Sequence, residues 1–190
     1  MFGRRRKRPD PEEIEARVIK DPERARERTM NRAVKLLAAK PRSIRELRER
    51  LLEKAWTSAE IVDAVLEKLK EYKYLDDDQF ARDLAVSKLR QKPQGRRRLQ
   101  QTMSQKQLDK DVVKGAIDAA FEKLPEAGLI GRAIEKRVRI KGVPETREDK
   151  KKFYDHLLRQ GFAFDLIREK MRDIANVDVD EQENDPQDES

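Results

Sequence analysis

One apolar spacing recurs three times in this chain, and it limits the fold to small helical units strung in series. Leu47, Leu51, Ala55, Trp56, Ile61, Val65 and Leu69, moved 52 positions along, fall on Leu99, Met103, Gln107, Leu108, Val113, Ile117 and Phe121. A further shift of 54 falls on Phe153, Leu157, Gly161, Phe162, Ile167, Met171 and Ala175. Large apolar side chains fill nearly every register position each time, so one supersecondary unit is used three times. The expected fold is all-α, with three tandem three-helix, helix-turn-helix-like repeats forming an elongated, curved array. The expected boundaries are a basic N-terminal arm at 1–20, repeat 1 with an N-terminal helical extension at 21–75, repeat 2 at 76–124, repeat 3 at 125–175, and an acidic disordered tail at 176–190.

Helix punctuation supports that division. Asp21 before Pro22 and Glu23 predicts a helix start, because aspartate caps free amides and proline sits where no donor is needed; Pro41 then stops the helix near Lys40. Ser43 with Glu46, and Thr57 with Glu60, have capping-box spacing, in which each side chain satisfies an orphan amide. The join between those two helices, Ala55 to Thr57, is short enough for a helix-turn-helix. The second unit is expected at Asp78 to Lys92, Gln94 to Lys106 and Asp109 to Leu124. The third is expected from Glu126 to Lys141, then a loop at Gly142 to Glu145, a capping box at Thr146 and Asp149, and helices ending near Ile174. In the arm, at most a short helix is expected at Glu12 to Lys20. No stretch alternates apolar and polar residues long enough to suggest strands.

With 44% charged side chains in 190 residues, the chain has material only for thin cores, which suits several small units. The net charge is +7, but residues 176–190 hold seven acids and no base, so residues 1–175 carry +14. Such a body attracts polyanions, nucleic acid first among them, although a membrane surface or an acidic protein also suits a basic balance. Cysteine is absent, which removes disulfides and thiolate chemistry and fits a reducing compartment. The opening basic run, Arg4 to Arg8, is followed by no apolar stretch of the secretory type, and no long apolar run suggests a bilayer span. The cytoplasm is the expected compartment.

No catalytic constellation, cofactor or metal site is expected. The single histidine, His156, has Lys152 and Gln160 as its helical neighbours at i±4, which reads as a structural histidine better than as a zinc ligand. Asp76, Asp77 and Asp78 lie between two predicted helices, where caps explain them better than a divalent-metal cluster does. There is no glycine-rich phosphate loop, so ATP hydrolysis by the chain itself is not expected.

The basic residues carry more information. Arg96, Arg97 and Arg98 open a predicted helix with Arg90 and Lys92 just before them and Lys106 beyond, and no acid lies close by in sequence. Arg132, Lys136 and Arg139 share one face of another helix. These nine residues are the candidate contacts to phosphate, DNA first among its sources. Phosphate binding by such clusters is salt-sensitive, although the solvated face of any highly charged helix is the competing explanation. Trp56, Phe121, Phe153 and Phe162 all stand in core register, so base stacking has little support.

The string Tyr74-Leu75-Asp76-Asp77-Asp78-Gln79-Phe80-Ala81, preceded by Ser43-Ile44-Arg45-Glu46-Leu47 and followed by Arg159-Gln160-Gly161-Phe162, resembles the bacterial RecX family of regulatory proteins from about Arg32 to Ala175. The resemblance implies tandem three-helix repeats. It also implies a regulator of the RecA recombinase that lies in the groove of the RecA–single-stranded DNA filament and restrains ATP hydrolysis, strand exchange and repressor cleavage. The implied partners are the RecA filament and single-stranded DNA, with no membrane, and the chain is expected to be a monomer. The alternative is a general basic nucleic-acid-binding helical module without RecA specificity. The family often has glycine at the turn between second and third helices; here only Gly161 keeps it. Ala55 and Gln107 must then accept a left-handed backbone, at a cost of about 1 kcal/mol, or make the turn differently.

Overall fold

The computed structural model describes residues 10–15 and 17–180. Among them are ten helices and no strand: α1 (Pro11–Glu15), α2 (Pro22–Ala39), α3 (Ile44–Leu52), α4 (Ala59–Glu71), α5 (Asp77–Gln91), α6 (Arg96–Ser104), α7 (Lys110–Lys123), α8 (Glu126–Lys141), α9 (Arg147–Arg159) and α10 (Phe164–Asp180). After α1 they fall into three successive triplets. Two compact units result, one of residues up to Ala81 with Gln105–Val112, the other of Arg82–Ser104 with Val113 onward.

In the first unit, α2, α3 and α4 pack on one another. The repeated register makes their core, with Leu47, Leu51, Val65 and Leu69 essentially inaccessible beside Ala33 and Val62. Complete burial of a leucine contributes about 2 kcal/mol, so the recurring positions hold the unit together. The capping residues behave less simply than their spacing suggests. Asp21 accepts from the Arg24 amide as expected, and Ser43 caps α3 through the Glu46 amide. The reciprocal half of that box is not made: the Glu46 carboxylate turns to Arg42 and Lys40. Thr57 does not cap α4 at all. Its hydroxyl is buried and bonds Thr29 Oγ1 at 2.9 Å, and Ser58 takes the capping role toward Ile61.

The aspartate run divides its work between two helices. Asp76 caps α5 through the Gln79 amide, while Asp77 reaches the free Ile44 amide at the start of α3 at 2.9 Å. Burial raises the Asp77 pKa above the ordinary carboxylate range, opposed by that backbone bond and by Lys70. The arm is also more engaged than its composition implies. Ile14 of α1 packs against the core of the first unit. Nη1 of Arg17 donates to the carbonyls of Leu52, Lys54 and Thr57, at 2.9, 2.9 and 3.2 Å. Residues 1–9 lie outside the described residues.

The second unit contains α6, α8, α9 and α10, with Leu99, Met103, Ile117, Phe121, Phe153, Leu157, Phe162 and Ile167 buried in the expected register. α10 continues past Ile174 to Asp180, so the first five residues of the expected tail are helical; 181–190 lie outside the described residues.

Turns between second and third helices are built three ways. Gly161 has φ +85° and Gln107 φ +56°, so both take the left-handed conformation, glycine without strain and glutamine with it. Ala55 avoids positive φ, and α4 starts four residues after it, whereas α7 and α10 start three residues after Gln107 and Gly161. One extra residue replaces the left-handed step. The carbonyl just before each turn position is occupied every time. Lys54 O accepts from Arg17 Nη1, Lys106 O from the Ser43 hydroxyl at 2.8 Å, and Gln160 O from the Gly95 amide at 2.9 Å. Orphan carbonyls at helix ends must find donors, and each here is met by a group from earlier in the chain.

Candidate nucleic-acid interface

Eight of the nine cations expected at an interface lie in the second unit and are exposed. Arg90 lies in the last turn of α5, Lys92 follows that helix, Arg96, Arg97 and Arg98 open α6, and Arg132, Lys136 and Arg139 lie along α8. The i, i+4, i+7 spacing of the last three places them on one face, and none forms an ion pair among the described residues. Lys106 belongs to the first unit, is half-buried, and contributes its carbonyl to Ser43.

The three arginines at the start of α6 are not equivalent. Gly95 stands where Ser43 stands in α3, so α6 lacks a side-chain cap of its own; the Glu126 carboxylate accepts from the Arg96 amide at 3.1 Å instead. An anion there also suits the positive end of the helix. The Arg96 guanidinium pairs with Asp118 and lies 5.0 Å from the Phe121 ring centroid. Asp118 and Glu126 are more than twenty residues away in sequence, which is why a local reading shows no acid near this cluster. Arg98 makes a long contact to Gln101 Oε1, and Arg97 has no partner among the described residues. Of the three, Arg97 is the cation most available to a ligand.

Two cationic groupings emerge only from the fold. Around His156, burial first and then Arg137, Arg159 and Lys92 hold the imidazole pKa below its ordinary value. Lys92 comes near because the Gly95 amide is tied to Gln160, one helical turn beyond His156. Arg137 lies over Phe153 at 5.9 Å, with its Nε buried and unpartnered. The second grouping is a shallow groove between α9 and α10 lined by Lys150, Lys151, Tyr154, Arg168, Met171 and Arg172. Trp56 departs from its core register: it is half-buried, 4.5 Å from the Arg28 guanidinium. Among the described residues, no three His, Cys, Asp or Glu side chains come together to hold a metal ion, and no helix is long and apolar enough to cross a membrane.

Comparison with known proteins follows the same triplets. Residues 30–69 match the RecX first three-helix domain and residues 76–117 the RecX second three-helix domain. The regulatory protein RecX of Prosthecochloris aestuarii is 31% identical over 147 residues, covering 77% of this chain and 93% of that protein. That of Bacillus velezensis is 30% identical over 159 residues, covering 82% of this chain and 59% of that protein. The crystal structure of RecX from Lactobacillus salivarius superposes with a TM-score of 0.70 at 18% identity, over 80% of this chain and 98% of that one, a likeness of fold. Shared helix triplets, matched domain models and similarity over most of the chain together show that this chain belongs to the RecX family of regulatory proteins.

Proposed function

We propose that this chain regulates the RecA recombinase by binding in the groove of the RecA–single-stranded DNA filament and restraining its ATPase, strand-exchange and coprotease activities. Family membership supports RecA as the target. The observation that carries the binding mode is the row Arg132, Lys136 and Arg139, exposed on one face of α8 and free of ion pairs among the described residues. Three lysine or arginine side chains spaced along about 10 Å of helix can each meet a phosphate or an acidic side chain. No chemistry is needed: bridging successive filament subunits opposes the rearrangement that accompanies ATP turnover.

The test is inhibition of DNA-dependent ATP hydrolysis by RecA, with the chain far below the concentration that coats naked DNA. Inhibition at sub-stoichiometric levels, weakened at least tenfold by the combined Arg132→Glu and Lys136→Glu change, is the expected result. Inhibition only at coating concentrations favours a general nucleic-acid-binding module. Unchanged potency of the double variant removes α8 from the interface.

A further inference from the structure

We propose that the groove between α9 and α10 binds single-stranded nucleic acid, seating a base on the exposed Phe164 ring beside it and the flanking phosphates on its cations. The proposal rests on the reading that this chain works on a filament carrying single-stranded DNA, and it names a contact site that the interface described above does not include.

The groove encloses about 480 Å³ and is lined by Lys150, Lys151, Tyr154, Arg168, Met171 and Arg172. Its composition is unusual for a surface in so polar a chain, because ring and thioether carbons stand among four cations. Lys150, Lys151 and Arg172 form no ion pair among the described residues, although acids are abundant on the same helices. Lys152, by contrast, is paired with Glu148 and Asp149. Tyr154 packs edge-on against Phe164, ring centroids 5.6 Å apart at 79°, and Arg168 lies 5.6 Å from the Phe164 ring. Phe164, which packs on the lining residues Tyr154 and Arg168, is itself 54% exposed, a large apolar side chain left in water beside the cations. The Tyr154 hydroxyl is buried and has no hydrogen-bond partner among the described residues.

A nucleotide supplies all that is missing. Its base offers a π-face to Phe164, and its phosphates neutralise lysine and arginine; stacking platforms edged by cations are how single strands are held without sequence preference. Open at the surface, the groove suits a strand lying across it rather than an enclosed small molecule. The chain's own acidic residues 181–190, Glu-Gln-Glu-Asn-Asp-Pro-Gln-Asp-Glu-Ser, fit less well, because they offer carboxylates to the cations and no ring to stack on Phe164. Duplex DNA hides its base faces within the stack and leaves Phe164 unused.

The experiment uses the full chain with two exposed-site variants, Phe164→Ala and the combined Lys150→Glu and Lys151→Glu. Thermal melting first confirms that both fold. The readout is anisotropy of a labelled oligo-dT strand of about twelve nucleotides and of an abasic strand of equal length, across a salt series. Phe164→Ala is expected to weaken oligo-dT about fivefold, with the salt slope unchanged and the abasic strand unaffected. The double glutamate variant is expected to weaken both strands about tenfold or more and to reduce the slope of log K against log salt by about 1.4. Equal loss on both strands in Phe164→Ala, or no loss of oligo-dT affinity in either variant, overturns the proposal. Loss of poly-glutamate binding with oligo-dT binding retained also overturns it, in favour of an acidic protein segment. If the groove variants lose oligo-dT while the unaltered chain has no effect on RecA, the groove stands and the RecA reading fails. Intact RecA inhibition with oligo-dT affinity untouched in both variants sinks the groove alone.

Discussion

Ser43 donates its hydroxyl to the carbonyl of Lys106 at 2.8 Å, and 52 residues later the backbone amide of Gly95 does the same for Gln160 at 2.9 Å. The start of a second helix meets the helix-turn-helix corner of the following repeat in both cases. Where a side chain makes the bond, the backbones stand apart; where the amide makes it, they touch. A Cβ added at Gly95 meets the Gly161 carbonyl oxygen at 2.2 Å, and one added at Gly161 meets the Arg98 amide nitrogen at 2.3 Å.

Glycine at 95 is therefore a condition of the joint. Gly95→Ala should destabilise by about 2 kcal/mol or more, because the obstacle is backbone that cannot rotate away. Ser43→Ala should cost about 1 to 2 kcal/mol through loss of the cap and an unsatisfied carbonyl. Gly115, in the interior of α7 with nothing within 4 Å of an added Cβ, is the matched control; Gly115→Ala should gain about 0.5 to 1 kcal/mol. Urea midpoints of the three variants check the order, and a stable Gly95→Ala protein would contradict the joint as described.

Arg17 gives the corner of the first repeat the donor that earlier helices give the other two. Its one nitrogen serves three carbonyls, so Arg17→Ala should cost about 2 kcal/mol, charged donors to buried carbonyls being among the stronger hydrogen bonds. Trp56, the only tryptophan, belongs to the same corner and reports on it directly. Its emission should shift to the red and hydrogen exchange at residues 54–58 should quicken in the variant. Arg17→Lys, lacking the planar fork, should recover only part of the loss.

Arg96 and Arg97 separate folding from binding. Arg96→Ala removes contacts to Asp118 and Phe121 and should lower the melting temperature. Arg97→Ala should leave melting unchanged and weaken RecA inhibition or DNA affinity, with a smaller salt slope. A triple replacement of 96–98 confounds the two effects, so the single variants are the informative ones. Equal melting temperatures for both would contradict the structural role given to Arg96.

His156 predicts a pH dependence with a definite sign. Burial, then Arg137, Arg159 and Lys92, hold its folded pKa below the unfolded value of about 6.5, so the unfolded chain binds the proton more tightly. Stability from the neutral imidazole is complete above pH 6.5 and is lost as pH falls through the folded pKa. His156→Gln should flatten that part of the curve. A polyanion seated beside those cations relieves the repulsion and should raise the pKa. Being the sole histidine, its ring-proton resonances read the shift without assignment; no movement on adding oligonucleotide would exclude phosphate from that cluster.

Three matching registers of apolar residues were legible in the sequence because burial repeats with helix periodicity, and Leu47, Leu99 and Phe153 need no distant partner to reveal it. Helix starts at Asp21, Ser43 and Thr146 were legible too, since caps act within four residues. What a cap or cation does once its neighbours arrive was not. Thr57 is diverted by Thr29, Asp77 by the start of α3, Arg96 by Asp118, and the lysines of α9 gain Arg168 and Arg172 as companions. Those partners lie seventeen to thirty-three residues away in sequence, beyond the reach of local spacing. Sequence alone determined the helices and the sign of the charge, both of which follow from short-range chemistry. Only the tertiary structure decided which cations are tied up within the fold and which face solvent, because that depends on acids, rings and carbonyls brought together by packing.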